Sequence, residues 1–297
     1  MELRHLRYFI RAAELLHFTR AAESLYISQP TLSVHIQQLE EELGTPLFAR
    51  IGRHVRLTEA GEVLLNRARQ AIRELEIATE EIDGLVGLLR GNLRVAALFA
   101  FSEKLLPAWL ASFNAAHPDV HVIARSAVSD DIEQGVVDGT VDLGFSFLPV
   151  DHDEIQSEEL FTERIALVVS KEHPFAKREE VSIKDCTNLA VALASRRIVA
   201  RRLLDESLAQ SEVSLNVVVE FDDLHALLEI VRMGTLATFL TPIAVGEQPE
   251  LRMFPIEDDR LCMVAGALWT HMSPAARAFL QIAKEESALS MRQSKCK

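Results

Sequence analysis

Residues 18–33 read FTRAAESLYISQPTLS, and this stretch decides the fold of the N-terminal part of the chain. Thr19 can cap a short helix whose alanines and leucine turn toward a core. After a tight turn, Ser28-Gln29-Pro30 is typical of a helix start, because a proline in the first helical turn gives up no hydrogen bond. Two helices joined in this way predict a helix-turn-helix, which places its second helix in the major groove of DNA.

The flanking sequence extends the motif on both sides. Apolar residues from Leu3 to Leu16 recur at three- and four-residue spacing, which predicts an amphipathic helix before the motif. The helix that starts near Ser28 is expected to end at Gly44, since glycine readily adopts the left-handed conformation at a helix end. A three-helix packing module that uses the turn only for compactness is the alternative for this segment.

A basic segment follows the three predicted helices. Residues 47–57 read LFARIGRHVRL and alternate apolar and basic residues around Gly52, which is typical of a two-stranded wing. Arg50, Arg53 and Arg56 would line this wing, either as phosphate contacts or as an ordinary solvated face. The neighbouring helix-turn-helix favours phosphate contacts.

Charge separates this N-terminal part from the rest of the chain. A net charge of −13 over 297 residues argues against DNA binding if it is spread evenly, because DNA affinity depends on lysine and arginine. Residues 1–58 nevertheless hold seven arginines and six glutamates, with no lysine or aspartate. We therefore expect a small arginine-bearing head on an acidic body.

The segment after the wing predicts one long helix. Thr58 can cap it, and apolar residues then step by four and three from Leu64 to Leu89. At a rise of roughly 1.5 Å per residue such a helix is about 46 Å long, too long for the head alone to cover. We expect a second copy of the chain to supply a partner helix, and packing against its own chain is the alternative.

Beyond Gly91, short apolar strands alternate with helices, which predicts parallel pairing in an α/β sheet. The alternation occurs twice, which predicts two lobes. We expect the first lobe to comprise about 91–161 and 268–297, and the second about 162–267.

The chain contains no sequence signature of catalysis, such as a nucleophile elbow, a phosphate-binding loop or a His-Glu-x-x-His metal site. We expect no enzyme activity, no cofactor and no metal. The three cysteines, Cys186, Cys262 and Cys296, are widely spaced and are expected to be buried or incidental thiols, with a thiol-based redox sensor as the alternative. The apolar run 95–101 is far too short to cross a bilayer, and we expect a cytoplasmic protein without a membrane partner.

Five blocks of the sequence, in order, resemble the DNA-binding domain of LysR-type transcriptional regulators. They are FTRAAESL at 18–25, ISQPTLS at 27–33, QLE at 38–40, LGTPLFAR at 43–50 and LTEAG at 57–61. A weaker resemblance continues to the C-terminus and is greatest to activators of cyanate-degradation operons. It implies an α/β protein with a winged helix-turn-helix at 1–58, a dimerisation helix at 59–90 and a two-lobed effector domain, similar to periplasmic binding proteins, at 91–297.

The resemblance also implies partners and DNA contacts. The partners are double-stranded DNA, further copies in a homodimer or homotetramer, a small-molecule effector and RNA polymerase. Where many relatives have an arginine after the serine of the recognition helix, this chain has Val34-His35, so His35 is a candidate to supply that contact. The residues expected at DNA are Thr19, Ser28, Gln29, Pro30, Thr31, Ser33, His35, Arg50 and Arg53.

The implied lobes enclose a cleft for the effector. In α/β sheets, ligands bind at the carboxyl ends of strands and at helix starts. The residues at such positions are Ala100, Phe101, Ser102, Ser129, Phe145, Phe147, Ala200, Arg201 and Phe221. The family often has a hydroxyl at the places of Ala100 and Ala200, and the cyanate-operon resemblance implies a small anion as effector. An effector-binding protein without a DNA function is the remaining alternative.

Overall fold

A computed structural model of the chain describes residues 1–51, 54–85 and 89–295. The chain divides into two compact units. Residues 1–89 together with 137–140 form the first unit, and the remaining residues form the second. Within the described ranges, no helix is both long enough and apolar enough to cross a membrane.

The first unit begins with three helices packed around an apolar core. They are α1 (Leu3–Leu15), α2 (Phe18–Ser24) and α3 (Gln29–Leu43). Phe9, Leu32 and Leu39 are fully buried in this core. Gly44 ends α3 with a φ of +69°, which confirms the predicted left-handed helix end.

Side-chain caps fix where α2 and α3 begin. The Ser28 hydroxyl oxygen accepts the Thr31 N–H at 3.3 Å, so the predicted start of α3 is confirmed. The predicted cap of α2 is wrong, because His17 Nδ1 accepts the Arg20 N–H at 3.3 Å. The helix begins one residue before Thr19, which therefore lies within its first turn.

The wing and the long helix follow. Strands β1 (Phe48–Ile51) and β2 (His54–Leu57) pair antiparallel, as predicted for a wing. The next element is α4 (Glu59–Leu85), and the Thr58 hydroxyl oxygen accepts the Gly61 N–H at 3.0 Å at its start. Residues 86–88 of the predicted helix lie outside the described residues.

The apolar positions of α4 divide into a covered part and an exposed part. Ala68 is buried, and α4 contacts α1 near an ion pair between Arg69 and Glu14. Further along, four apolar residues of the predicted repeat are exposed in this chain, namely Ala71, Leu75, Ala78 and Ile82.

The second unit alternates strands and helices. In chain order its elements are β3 (Gly91–Leu98), α5 (Phe99–Lys104), α6 (Leu106–Ala116), β4 (Val120–Ala127), α7 (Ser129–Val137), β5 (Leu143–Leu148), β6 (Gln156–Arg164), β7 (Ala166–Ser170), β8 (Ala190–Ala194), α8 (Val199–Gln210), β9 (Asn216–Phe221), α9 (Leu224–Arg232), β10 (Thr238–Leu240), α10 (Pro242–Val245), β11 (Leu251–Pro255), β12 (Cys262–Trp269) and α11 (Pro274–Lys295).

These strands form sheets in two lobes. The first lobe has a five-stranded sheet in the order β4-β3-β5-β12-β6. The second lobe has the three-stranded sheet β10-β7-β11 and the pair β8-β9, joined by a bridge between Val191 and Ala237. Trp109, Phe113 and Phe279 are buried in the first lobe, and a separate apolar cluster around Leu167 and Leu193 forms the core of the second.

The predicted parallel pairing is only partly right. β3 pairs parallel with β4 and β5, and β8 pairs parallel with β9, whereas β12 is antiparallel to both β5 and β6. The predicted lobe limits also change, since β6 belongs to the first sheet up to Arg164 and β12 belongs to it from Cys262. The returning strand β12 therefore completes the first lobe earlier than the sequence indicated.

Candidate functional site

The start of α3 presents a compact set of polar side chains. Gln29 and Thr31 are exposed, and Gln29 Nε2 donates to the Ser33 hydroxyl oxygen at 2.9 Å. The hydroxyl oxygens of Ser28 and Thr31 lie 2.7 Å apart. Pro30 is exposed beside them. These amide and hydroxyl groups are the types that bond base edges and phosphates in a major groove.

Two other predicted DNA contacts lie in different surroundings. Thr19 is exposed on the first turn of α2. His35 is half-buried, and its ring packs 5.1 Å from the ring of His5 and 5.2 Å from that of Tyr8. This packing against α1 does not favour a base contact for His35.

A carboxylate of α3 bonds the backbone at the start of the wing. Glu40 Oε1 accepts the N–H groups of Leu47 and Phe48, at 2.7 and 3.2 Å. Arg50 lies in β1 opposite Val55, and nothing of its side chain is described. Arg53 lies outside the described residues.

A cavity of about 50 Å³, which we call the apolar pocket, lies in the second unit. It is bounded by strand ends of the first lobe and by the starts of α8, α9 and α10 of the second, so both lobes contribute to it. Ser129, Arg197 and Thr241 are the polar residues of this lining. The apolar ones are Leu98, Phe99, Ala100, Val128, Phe147, Ile198, Val199, Ala200, Leu224, Leu240 and Ala244.

A second cavity of about 360 Å³, the polar pocket, shares part of this lining. Ser102, Glu103, Ser126, Asp223 and His225 supply its polar side chains. The Ser102 hydroxyl donates to the Ala97 carbonyl oxygen at 3.1 Å, and Asp223 Oδ1 accepts the Ala226 N–H at 3.0 Å.

The structure brings together most of the predicted effector residues. Ala100, Ser129, Phe147 and Ala200 line the apolar pocket, and Ser102 lines the polar pocket. Phe101 is buried directly behind this lining, with its ring 5.1 Å from that of Phe147. Five of the nine residues therefore meet at the pockets and a sixth supports them.

The other three do not line either pocket. Phe145 is a core residue, because its ring packs against Trp109 and Phe279. The Arg201 side chain is 4% exposed and is held by Asp205, Glu220 and the Ala194 carbonyl oxygen. Phe221 ends β9 and is 43% exposed.

The sequence did not identify Glu163 and Thr241. Glu163 is buried on β6, and its Oε1 accepts the Ile243 N–H at 2.7 Å, beside the pocket residue Thr241. Burial raises the pKa of Glu163 to about 7, although hydrogen bonds from Ile243 and Thr241 lower it. No sequence pattern links Glu163 to Ile243, which lies 80 positions further along the chain.

The cysteines offer little support for thiol chemistry. Cys186 is fully buried, and burial, followed by the charge of Asp185, raises the pKa of its thiol to about 12. A thiol with so high a pKa is a poor nucleophile near neutral pH. Cys262 is half-buried at the start of β12, and Cys296 lies outside the described residues. Among the residues described, no group of three or more His, Cys, Asp or Glu side chains could hold a metal ion.

Comparison with known proteins matches two stretches of the chain to known families. Residues 3–62 match the family described as bacterial regulatory helix-turn-helix protein, lysR family, and residues 87–288 match the LysR substrate binding domain. The transcriptional dual regulator GltC of Bacillus subtilis is 31% identical over 287 residues, covering 95% of this chain and 96% of GltC. The regulator AlsR of the same organism is 31% identical over 246 residues, or 81% of this chain and 80% of AlsR.

Solved structures show the same fold. A full-length OxyR variant from Pseudomonas aeruginosa has a TM-score of 0.79 at 22% identity, covering 97% of this chain and 95% of OxyR. Full-length CbnR in complex with its target DNA has a TM-score of 0.65 at 23% identity, covering 96% of this chain and all of CbnR. The relatives are transcriptional regulators, in agreement with the expectation that this chain is not an enzyme.

Proposed function

The chain belongs to the LysR family of bacterial transcriptional regulators, and we propose that it binds operator DNA as a homodimer or homotetramer and responds to a small molecule in the apolar pocket. The proposed response to a small molecule rests on one observation, which is that both lobes line the apolar pocket. A ligand there contacts both lobes, so it can favour one lobe arrangement over another.

The DNA-binding role is assigned to the first turn of α3. Gln29 and Thr31 are exposed, and Ser33 holds the Gln29 amide. An amide positioned in this way suits a bidentate contact with adenine. We assign major-groove contacts to Gln29, Pro30, Thr31 and Ser33. Ser28 and Thr19 are assigned to phosphates, and the wing arginines Arg50 and Arg53 to further phosphates.

Self-association is supported by the exposed face of α4. Leu75 is 51% exposed and Ile82 65% exposed on a helix with a seven-residue apolar repeat. A second α4 is the proposed cover for this face. Two linked heads also bind two half-sites far more tightly than one head binds one.

The effector is proposed from the lining of the apolar pocket and from the family resemblance. Cyanate is the first anion to test, and Arg197 is the cationic residue of this lining. Most of the other lining residues are apolar, which favours an effector that also has an apolar part. RNA polymerase is the proposed partner at the promoter.

Duplex selection tests the DNA role. The full-length protein would be incubated with a pool of random-sequence duplexes at stated salt, and bound duplexes would be sequenced. We expect enrichment of a partly palindromic site, and Gln29→Ala is expected to lose preference at one base position in each half-site. Enrichment of no sequence by the wild type would contradict sequence-specific binding.

Calorimetry tests the pocket. Cyanate would be titrated into the wild type, into Ala200→Phe, which fills the pocket, and into Ala209→Phe, which alters an exposed residue of the same helix. Binding that is lost only in Ala200→Phe supports the pocket and cyanate together. Wild-type protein that gives no binding signal rejects cyanate as the effector.

A further inference from the structure

Glu163 lies where the chain crosses from the first lobe to the second. On β6 it pairs with Met263 of β12, and the next pair, Arg164 with Cys262, is the last of the first sheet. Ala166 already begins β7 in a sheet of the second lobe. Glu163 is therefore held by the first sheet within three residues of the second.

The side chain of Glu163 reaches a pocket wall of the second lobe. Its Oε1 accepts the Ile243 N–H at 2.7 Å. The Thr241 hydroxyl lies beside the carboxylate and lowers its pKa. Thr241 and Ala244 line the apolar pocket, and Ala244 and Val245 pack in a core cluster of the second lobe. One carboxylate thus joins the first sheet to the wall formed by Thr241 and α10.

This carboxylate is incompletely satisfied. Glu163 is 5% exposed, and its Oε2 is buried without a hydrogen-bond partner among the described residues. An ionised carboxylate in such surroundings is costly, because burial favours the neutral form. This cost explains why its pKa of about 7 lies well above that of an ordinary glutamate.

Charged neighbours do not account for the raised pKa of Glu163. The elements packed against β6 include β12, α10 and α11, and α5 joins them through the ring contact of Phe101 with Phe161. The charged residues of α5, Glu103 and Lys104, pair with each other. Met263 is the β12 residue opposite Glu163, and α10 contributes a backbone N–H. The ion pair of Lys284 with Glu158 lies five residues away on β6, and the Lys104 side chain lies beside Gly246, just after α10. None of these charges contributes to the shift.

We propose that Glu163 is a positioning residue of the effector pocket, and that gain or loss of its proton changes how Thr241 and α10 are held. The proposal rests on the apolar pocket being the effector site. In this proposal, ionised Glu163 accepts a hydrogen bond from the Thr241 hydroxyl. The lone pairs of the Thr241 oxygen are then available to a ligand that donates a hydrogen bond. Protonated Glu163 can donate to Thr241, which frees the Thr241 hydrogen for a ligand that accepts.

The first test is the pH dependence of unfolding, measured with denaturant on the full-length protein. The pKa of Glu163 is raised on folding, so its contribution to stability is full below pH 4.5 and is lost as pH rises to about 7. Relative to Glu163→Gln, the wild-type folding constant should fall by up to about tenfold per pH unit in this window. Glu159→Gln, an exposed position on the same strand, should follow the wild type. A wild-type to Glu163→Gln difference that does not change with pH overturns the proposal.

The second test separates positioning from general destabilisation. Amide exchange of peptides covering residues 241–245 would be measured at pH 6 and pH 8 and corrected for the pH dependence of chemical exchange. Local opening that detaches the Ile243 N–H while Glu163 stays buried on β6 breaks a bond that a carboxylate accepts more strongly than a carboxylic acid does. For this local opening, unlike global unfolding, we expect about threefold or greater extra protection at pH 8 in the wild type. Glu163→Gln should show equal protection at both pH values. Equal protection in the wild type overturns the proposal.

A partner variant keeps the proposal testable if Glu163→Gln does not fold. Thr241→Val removes the hydroxyl that lowers the pKa of Glu163, so the pH window of wild-type protection should move upward. An unmoved window contradicts the assigned contact. None of these measurements uses DNA or an effector, so a failure here is distinct from a failure of the duplex selection.

Discussion

Gly61 of α4 packs directly against the backbone of Leu47. A β-carbon on Gly61 would lie 2.2 Å from the Leu47 carbonyl oxygen, closer than any real contact allows. Thr58 also donates its N–H to that Leu47 oxygen at 2.9 Å. The start of the long helix is thus fixed to the start of the wing by backbone contacts.

We therefore predict that Gly61→Ala destabilises the first unit. The added methyl group must displace backbone, and such overpacking costs about 1–3 kcal/mol. Gly44→Ala is the comparison. A β-carbon there meets nothing within 4 Å, so the only cost in stability is that alanine must adopt the left-handed conformation. Denaturant unfolding should show the larger loss for Gly61→Ala, and an equal or smaller loss would contradict the assigned contact.

Glu40→Ala should loosen the wing. The substitution removes the acceptor of the Leu47 and Phe48 N–H groups, and leaving such groups unpaired costs about 1–3 kcal/mol each where water cannot replace the bond. We expect lower stability together with weaker DNA binding. Glu41→Ala is the control, since Glu41 is exposed and contacts only the Gln37 side chain among the described hydrogen bonds. Equal effects of the two substitutions would argue against a special role for Glu40.

Leu75→Glu should weaken self-association. Leu75 is 51% exposed in one chain, so a partner helix that covers it gains roughly half of the 1.5–3 kcal/mol that full burial of a leucine contributes. Sedimentation should show a dissociation constant raised about tenfold or more, whereas Leu75→Met should change little. Unchanged association of Leu75→Glu would place the interface elsewhere.

The thiol of Cys186 should resist alkylation. With a pKa of about 12 it is almost entirely protonated at pH 8, and it is also buried. Mass spectrometry after brief iodoacetamide treatment should find more label on Cys262 than on Cys186 in the folded protein. A peroxide-induced disulfide between them would instead support the redox-sensor alternative.

The elements near the N-terminus could be predicted because their signals are local. Ser28 and Pro30 mark the start of α3, and Gly44 marks its end. The predicted cap, Thr19, lies two residues after the actual cap, because the ring nitrogen of His17 accepts the Arg20 N–H instead. The sequence alone could not separate these two caps.

The second unit was less predictable because its pairing is not local. β6 reads QSEELFTER and is mostly polar, so its sequence alone gives little indication of a strand. It is a strand because it pairs with β12, which lies about 100 residues further along the chain. Strand ends indicated the pocket, but not the direction of each side chain. Phe145 and Phe147 share a strand, yet Phe145 packs in the core while Phe147 lines the pocket.

The proposed function depends above all on binding of a specific operator through α3. The most direct measurement is a footprint of the full-length protein on the DNA upstream of its own gene, at stated salt, with Gln29→Ala beside it. We predict protection of a partly palindromic site by the wild type and weaker or less selective protection by Gln29→Ala. Absence of protection by the wild type at low salt would contradict operator binding, and identical protection by both proteins would contradict the base contact of Gln29.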